Sequence, residues 1–385
     1  MKTKFSRRIA GLTMNGTAAA PARRILVDIC HPAEVHHFKY IYWELSRRGW
    51  TFLFAAKRKD VTEVLLRAYG LPSIIFSESK RSLLLKILHL PPELWAFYRL
   101  VRTFRPTLLF SNLSVHSSWI GAICGLRHIA FIDTEHRRLL DVVTMPFAQV
   151  KLTPESYGRH LGSNHIRYRG NHELAYLSPQ RFKPNPEVRD LLGIGLEPYV
   201  VLRFVAWQAF HDVGRHGISH DLKVKLVLEL QKTRRVFISS EVALSKALQP
   251  YQLNVPPERI HDVLYYADAY IGEGGTMASE AACLGTPAVY INRLGLGYCQ
   301  EEARAGLLHH CEKLSENDIE WIVRIHKTAE FQQKHKNYMK GHIDVTDFIV
   351  QFIEQELNQS PGRTMNDQDH EGCSGRPGSF VEDKK

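Results

Sequence analysis

The sequence has little that would tie it to an oxidised compartment, a membrane span or a nucleic acid. Six cysteines (Cys30, Cys124, Cys283, Cys299, Cys311, Cys373) are scattered over 385 residues without a CxxC pair. That spacing excludes a zinc ribbon or a disulfide framework and fits reduced thiols in apolar stretches. No apolar run approaches the ~20 residues that cross a bilayer. There is no zinc-finger spacing and no aromatic-bearing RNA-binding motif, so nucleic acid is not an expected partner. Acidic residues are in deficit, 40 against 50 Lys and Arg, for a formal charge of +10. Such a balance then points to phosphorylated substrates or an anionic membrane surface. In the leader, Ser6-Arg7-Arg8 and the following alanines look like an export signal. Its apolar core, Ile9 to Met14, is broken by Gly11 and Thr13 and is too short for one. A disordered leader over 1–22 and a cytoplasmic location are expected.

What is present is alternation. A hydrophobic content of 44% and a charged content of 23% are those of a globular protein, and the length allows two domains. Short runs rich in Val, Ile, Leu and Phe alternate with helical segments: 24–30, 51–56, 73–77, 107–112, 128–134 and 148–153. Residues 165–170 lead into the proline-rich stretch 178–188, and a second series follows at 199–206, 234–240, 268–273 and 288–293. Continuous apolar strands separated by helices predict parallel sheets covered on both faces. The expected organisation is an N-terminal domain over 23–170, a C-terminal domain over 171–340, a terminal helix over 341–357 and a disordered tail over 358–385. Helices over 319–326 and 346–357 are placed across the domain junction. The segment 81–105 reads as a core helix pair with a solvated basic face, and its sharper alternative is a peripheral membrane patch.

The stretch Gly272-Glu273-Gly274-Gly275-Thr276-Met277-Ala278-Ser279-Glu280 interrupts this apolar pattern. Glycines at the end of a strand weaken regular structure, yet they let a ligand approach the backbone. The helix N-terminus that follows offers free N–H groups and the positive end of a dipole. In an open parallel sheet this is where ligands bind. A tight turn without a ligand is the plainer alternative, because a lone glycine-rich turn is a weak signal.

With its flanks, VLYYADAYIGEGGTMASEAACLGTPAVYIN resembles the C-terminal-domain signature of GT-B enzymes that use UDP-sugars. The lipid II N-acetylglucosaminyltransferase and the non-hydrolysing UDP-N-acetylglucosamine 2-epimerase are similar here. That resemblance implies diphosphate contact by Gly274, Gly275 and Thr276, and ribose contact by Glu280. DICHPAEVHHFKYIYWELSRRG, FIDTEHRRLLDVVTMPFA, YRGNHELAYLSPQRFKP and VLRFVAWQAFHDVGRHGIS further resemble an uncharacterised bacterial and archaeal family of unknown function with a GT-B fold. The implied fold is two Rossmann-like, doubly wound parallel-sheet domains facing across a cleft.

GT-B enzymes usually carry a glycine-rich loop after the first strand. This chain has Cys30-His31-Pro32-Ala33-Glu34-Val35-His36-His37 there, with no glycine but several titratable groups. His31, Glu34, His36 and His37 are therefore candidate bases toward an acceptor hydroxyl, against the alternative of a capped helix start. Asp133 and Glu135, in Asp133-Thr134-Glu135-His136 at another strand end, are candidates to orient a sugar or act as bases, or simply to cap a helix. Arg203, His211 and Arg215 are candidates to stabilise a leaving diphosphate. His172 and Glu173, beside Asn171, are expected at the hinge bordering the cleft. His211, His216 and His220 would suit a metal only on a regular face, which Gly214 and Gly217 interrupt, so no metal is expected.

The leading expectation is transfer of a sugar from a UDP-sugar to an envelope polysaccharide or glycolipid acceptor, with no cofactor beyond the nucleotide-sugar substrate. The second is epimerisation of a UDP-sugar. The third is a sugar-nucleotide-binding protein without chemistry.

Overall fold

The computed structural model describes residues 23–358 apart from 81, 163 and 206–216. Twelve strands occur among these residues: β1 (Arg24–Ile29), β2 (Thr51–Arg58), β3 (Ser73–Glu78), β4 (Leu108–Ser111), β5 (Arg127–Phe131), β6 (Val150–Pro154), β7 (His165–Tyr168), β8 (Tyr199–Phe204), β9 (Arg235–Ser240), β10 (Ala269–Gly272), β11 (Ala288–Ile291) and β12 (Leu308–Cys311). They form a seven-stranded sheet, order β3-β2-β1-β4-β5-β6-β7, and a five-stranded sheet, order β12-β11-β10-β8-β9. Every pairing is parallel.

The sequence dictates this arrangement locally. Five consecutive residues of β1 after Arg24 are buried, as they must be in a strand covered on both faces. Ile25, Val27 and Ile29 join the core that also holds Phe38, Ile41 and Leu45 of the helix Pro32–Arg47, while Leu26 faces Phe97, Leu100, Val101 and Phe104 on the other side. Each sheet changes direction of winding once, between β1 and β4 and between β8 and β10. Those are the points where a crevice opens at the strands' carboxyl ends.

Three features differ from expectation. Segment 81–105 forms one helix, Leu83–Phe104, with Pro91 and Pro92 inside it, rather than a pair. Its second half is core, but Leu84, Leu85, Ile87 and Leu88 in its first half are exposed. The strand β12 and the helix Ala329–Lys340 were not expected at all.

The terminal helix Val345–Asn358 does cross the molecule, whereas the helix Glu316–Ile322 packs Ile319 and Ile322 into the core of the second sheet and not across the junction. Its Val345, Ile349, Val350 and Ile353 share a core with Phe38, Ile41 and Leu45 of the first helix. Arg48 pairs with Glu354 at 2.7 Å, and Arg127 pairs with Glu356.

Candidate functional site

The carboxyl ends of both sheets border a cleft of about 920 Å³. One wall comes from the loops after β1 to β5: His31, Glu34 and His37, then Arg58 and Lys59, Ser79 and Lys80, Asn112, and Asp133, Thr134 and Arg137. The facing wall holds Glu241, Glu273, Gly275, Thr276, Tyr290, Asn292, Leu296 and Tyr298 from the loops after β9 to β11.

The glycine turn supplies the floor of the second wall. The helix Gly275–Cys283 opens at Gly274 without a side-chain cap. Its first N–H groups therefore keep their capacity for an anion, with the dipole's positive end behind them. Gly275 and Thr276 reach the cleft, whereas Gly274 stands behind the lining. A side chain at Gly275 would meet Leu296 Cδ1 at 2.4 Å and the Tyr298 and Tyr290 hydroxyls at 3.3 and 3.4 Å. The missing Cβ thus admits the neighbouring loop as well as any ligand.

Glu273, which sequence reasoning passed over, organises this wall. It is 1% exposed. Its carboxylate accepts from the backbone N–H of Val205 at 3.1 Å and of Ile218 at 2.7 Å, and Lys223 lies 3.6 Å away. One side chain thereby holds both borders of 206–216, the segment in which His211 and Arg215 fall. Those two candidates lie outside the described residues.

Across the cleft, His31 is exposed and acts as the N-cap of Pro32–Arg47, Nδ1 accepting from Ala33 N–H at 3.3 Å. Glu34 turns back so that Oε2 accepts from Cys30 N–H at 2.7 Å. Burial raises its carboxyl to about 8, more than this bond and Arg137 lower it. His37 is 2% exposed and lines the cleft. Burial, with the His172 ring beside it, lowers its imidazole to about 3 although Asp133 opposes the shift. The ring is therefore neutral.

Nδ1 of His37 lies 3.4 Å from the Asn112 amide, and Nε2 has no hydrogen-bond partner. The nearer amide atom is the donor Nδ2; with the amide turned over, so that its otherwise unpartnered Oδ1 accepts from Nδ1–H, Nε2 carries a free lone pair. His36, by contrast, faces away. Nδ1 lies 3.1 Å from the Tyr69 hydroxyl, and its ring stacks on Tyr176 and meets His261 edge-on.

In Asp133-Thr134-Glu135-His136 the first two residues line the cleft. The last two join the halves of the molecule: His136 Nε2 lies 2.6 Å from the Gly295 carbonyl oxygen. A Cβ on Gly297 would sit 2.6 Å from Glu135 Oε1 and 2.2 Å from the Ser156 carbonyl oxygen. Glu135 thus serves as a joint between the sheets, where a base or a sugar contact was expected. The glycine pair Gly295 and Gly297 opens the helix Gly297–Arg304 at the end of β11. That Gly-x-Gly after a strand was the overlooked signal.

Other candidates stand behind the walls. Arg203 donates to Ser239 Oγ at 2.7 Å and to Glu241 at 2.6 Å, reaching the cleft only through Glu241. Glu280 is 4% exposed, and its Oε1 takes Tyr176 O–H at 2.7 Å and meets His261 Nε2 at 3.0 Å. His172 is buried with its ring 3.5 Å from that of Phe131, and Nδ1 lies 2.8 Å from the Tyr168 hydroxyl. Glu173 is also buried, and burial pushes its carboxyl well up, with Glu302 and Asp133 adding to the shift. Asn171 donates to Glu302 at 2.8 Å. This hinge tripeptide therefore packs inside the joint and does not line the cleft.

One trio brings metal-type donors together among the described residues: Asp28, Cys30 and His116, with one atom each within 4.8 Å of one another. These groups are already engaged. Asp28 meets His116 Nδ1 at 3.2 Å and accepts from Ser114, while His116 Nε2 faces Glu93 at 3.4 Å and Glu93 pairs with Lys57 at 2.6 Å. Alternating charges and hydroxyls satisfy the chain without an ion.

The chain belongs to the family described as "Protein of unknown function (DUF354)", whose model matches residues 23–358. An uncharacterized protein of Methanocaldococcus jannaschii is 22% identical over 279 residues, 69% of this chain and 80% of that one. Among solved structures, the UDP-GlcNAc 2-epimerase of Neisseria meningitidis bound to UDP-GlcNAc superposes with a TM-score of 0.63, at 12% identity, over 88% of this chain and all of that one. The Methanocaldococcus jannaschii UDP-GlcNAc 2-epimerase in complex with UDP-GlcNAc and UDP gives 0.58 at 9% identity, over 88% and 100%. The spinosyn forosaminyltransferase gives 0.61 at 13%, again over 88% and 100%. The fold is GT-B: two Rossmann-like parallel-sheet units facing across a cleft.

Proposed function

We propose that the protein is a cytoplasmic glycosyltransferase that moves a sugar from a UDP-sugar to an envelope polysaccharide or glycolipid acceptor. The observation that carries this reading is the uncapped helix start at Gly275 and Thr276, placed across the cleft from the neutral imidazole of His37. Two of the similar structures hold UDP-GlcNAc, and a diphosphate of that kind suits the first turn of such a helix.

In the proposed step the acceptor O–H attacks the anomeric carbon, and the bond from that carbon to the diphosphate oxygen breaks. UDP leaves with the electron pair, stabilised by the helix N–H groups, and the acceptor proton passes to His37 Nε2, whose basicity, lowered by burial, the negative diphosphate in the cleft raises. Ribose recognition is assigned to Glu280, which stands behind the lining and which the ribose would reach past Thr276. Tyr176 and His261 both bind its Oε1, which fixes the carboxylate and leaves Oε2 for the sugar hydroxyls. Lys59 and Lys86 on the N-terminal wall supply cations away from the nucleotide turn, beside Arg58 and Lys80, whose charges Glu63 and Glu78 partly offset. That arrangement favours a second, anionic substrate and hence transfer over reaction on one bound sugar nucleotide.

A second reading, UDP-sugar epimerisation, is favoured by Glu34, a carboxyl raised to about 8 on the cleft wall and able to give and take a proton near neutral pH. Incubation with a panel of UDP-sugars, with and without membrane-extracted acceptors, separates these readings. Acceptor-dependent UDP release supports transfer. Isomerisation without UDP release moves the assignment to epimerase, and binding without turnover overturns both.

A further inference from the structure

The first half of the helix Leu83–Phe104 has an unusual distribution of side chains. Phe97, Leu100, Val101 and Phe104, spaced at three and four residues, are buried under the seven-stranded sheet. Toward the start of the helix, Leu84 is 67% exposed, Ile87 58% and Leu88 62%, Leu85 is exposed as well, and Trp95, just past the middle, is 62% exposed. A soluble helix normally turns such residues inward, and a cluster of this size marks an interaction surface.

Charge identifies the occupant. Residues 79–92 carry Lys80, Arg81 and Lys86 and no acidic residue, and Glu78 just before them, 3.8 Å from Lys80 and 3.2 Å from Arg58, offsets only part of this charge. Lys80 and Lys86 also line the cleft, beside Arg58 and Lys59. The apolar face therefore adjoins a cationic rim, and that rim leads directly into the proposed acceptor wall. A two-fold contact between copies would bring Lys80 and Lys86 against their own equivalents, a like-charge arrangement that disfavours association. An anionic lipid surface satisfies both halves of the feature: headgroups meet the lysines and the acyl boundary receives Leu84, Ile87, Leu88 and Trp95.

We infer that the first half of this helix docks the protein on an anionic bilayer, with the N-terminal wall of the cleft turned toward the membrane. The acceptor is then an amphiphile whose phosphate headgroup enters the cleft at Lys80 and Lys86 while its lipid stays in the bilayer. The acceptor's role rests on the transfer reading; the docking itself does not.

The test is co-sedimentation of the full chain with vesicles of phosphatidylcholine alone or mixed with phosphatidylglycerol. Binding to the mixed vesicles is expected to be at least about tenfold tighter and to weaken between 0.1 and 0.5 M NaCl, concentrations across which surface charge is progressively screened. The double variant Leu84→Glu/Leu88→Glu, altered only at exposed positions, should lose vesicle binding while keeping the wild-type thermal shift with UDP. Equal binding to both vesicle types overturns the proposal, as does unchanged binding by the variant. A solution dimer that the double variant dissociates also overturns it, because the face is then an interface between copies. Loss of the UDP response with vesicle binding intact counts against the nucleotide-sugar reading alone.

Discussion

Tyr176 donates its hydroxyl to Oε1 of Glu280 at 2.7 Å, from a short helix that follows the first sheet to a helix that follows β10. Burial alone would raise the Glu280 carboxyl, but His261 and Tyr176 hold it below its usual range. An ionised, immobilised carboxylate one turn behind the phosphate turn is what a ribose diol requires.

Glu280→Gln is therefore expected to weaken UDP by about 1.5–3 kcal/mol, the worth of hydrogen bonds to a charged group. Inorganic pyrophosphate, which has no ribose, should bind as before. Titration calorimetry on the folded variant decides it: equal losses for both ligands would make Glu280 a purely structural link between Tyr176 and His261.

For the three histidines of the first loop the structure separates the outcomes. His37→Gln should lower turnover by ~10²–10⁴-fold, the usual contribution of a general base, with UDP affinity unchanged. His36→Gln should instead lower the melting temperature, because that ring packs against Tyr69, Tyr176 and His261 away from the cleft. Normal turnover in His37→Gln would move the base to Glu34 or Asp133.

Glu302 gives a pH prediction with a definite sign. Burial lifts its carboxyl to about 8 against a usual value of 4.5, although Ser279 and Asn171 bind it. Below 4.5 both folded and unfolded chains hold the proton, and between 4.5 and about 8 unfolding releases it. Over that window this one group lowers stability by about 1.4 kcal/mol per pH unit as the pH rises. Denaturant titrations at pH 5, 6, 7 and 8 should show a shallower decline in Glu302→Gln than in the wild type. Parallel curves would mean that Glu302 is already ionised.

Gly297→Ala tests the joint. The added methyl would meet the Ser156 carbonyl at 2.2 Å, a backbone atom that cannot rotate away. A loss of about 1–3 kcal/mol is expected from overpacking, together with faster amide exchange at residues 133–136 and 155–158. Wild-type stability would show that the two halves already stand apart in solution.

The strands were legible because buried parallel strands announce themselves: Ile25, Leu26, Val27 and Ile29 leave little alternative. β12 was not, because His309 and His310 occupy the middle of Leu308–Cys311 and dilute its apolar character. The helix Ala329–Lys340 buries only Phe331 and Tyr338, too sparse a stripe to stand out. For the site, Gly275, Thr276, His37 and Asp133 could be placed on the cleft from the strand ends they follow. Local sequence could not tell that Glu135 would be drawn to Gly297, or that of His36 and His37, both packed against Tyr176, only His37 would line the cleft. Those outcomes depend on contacts between residues more than a hundred positions apart.

The return of Val345–Asn358 to the helix Pro32–Arg47 also bears on synthesis. A ribosome releases the first helix some three hundred residues before the segment that covers its Phe38, Ile41 and Leu45. Until then this apolar face is covered only on the side turned to β1, and the nascent N-terminal half resembles the exposed intermediates that chaperones bind. Completion of the first half of the molecule thus waits on the helix Val345–Asn358.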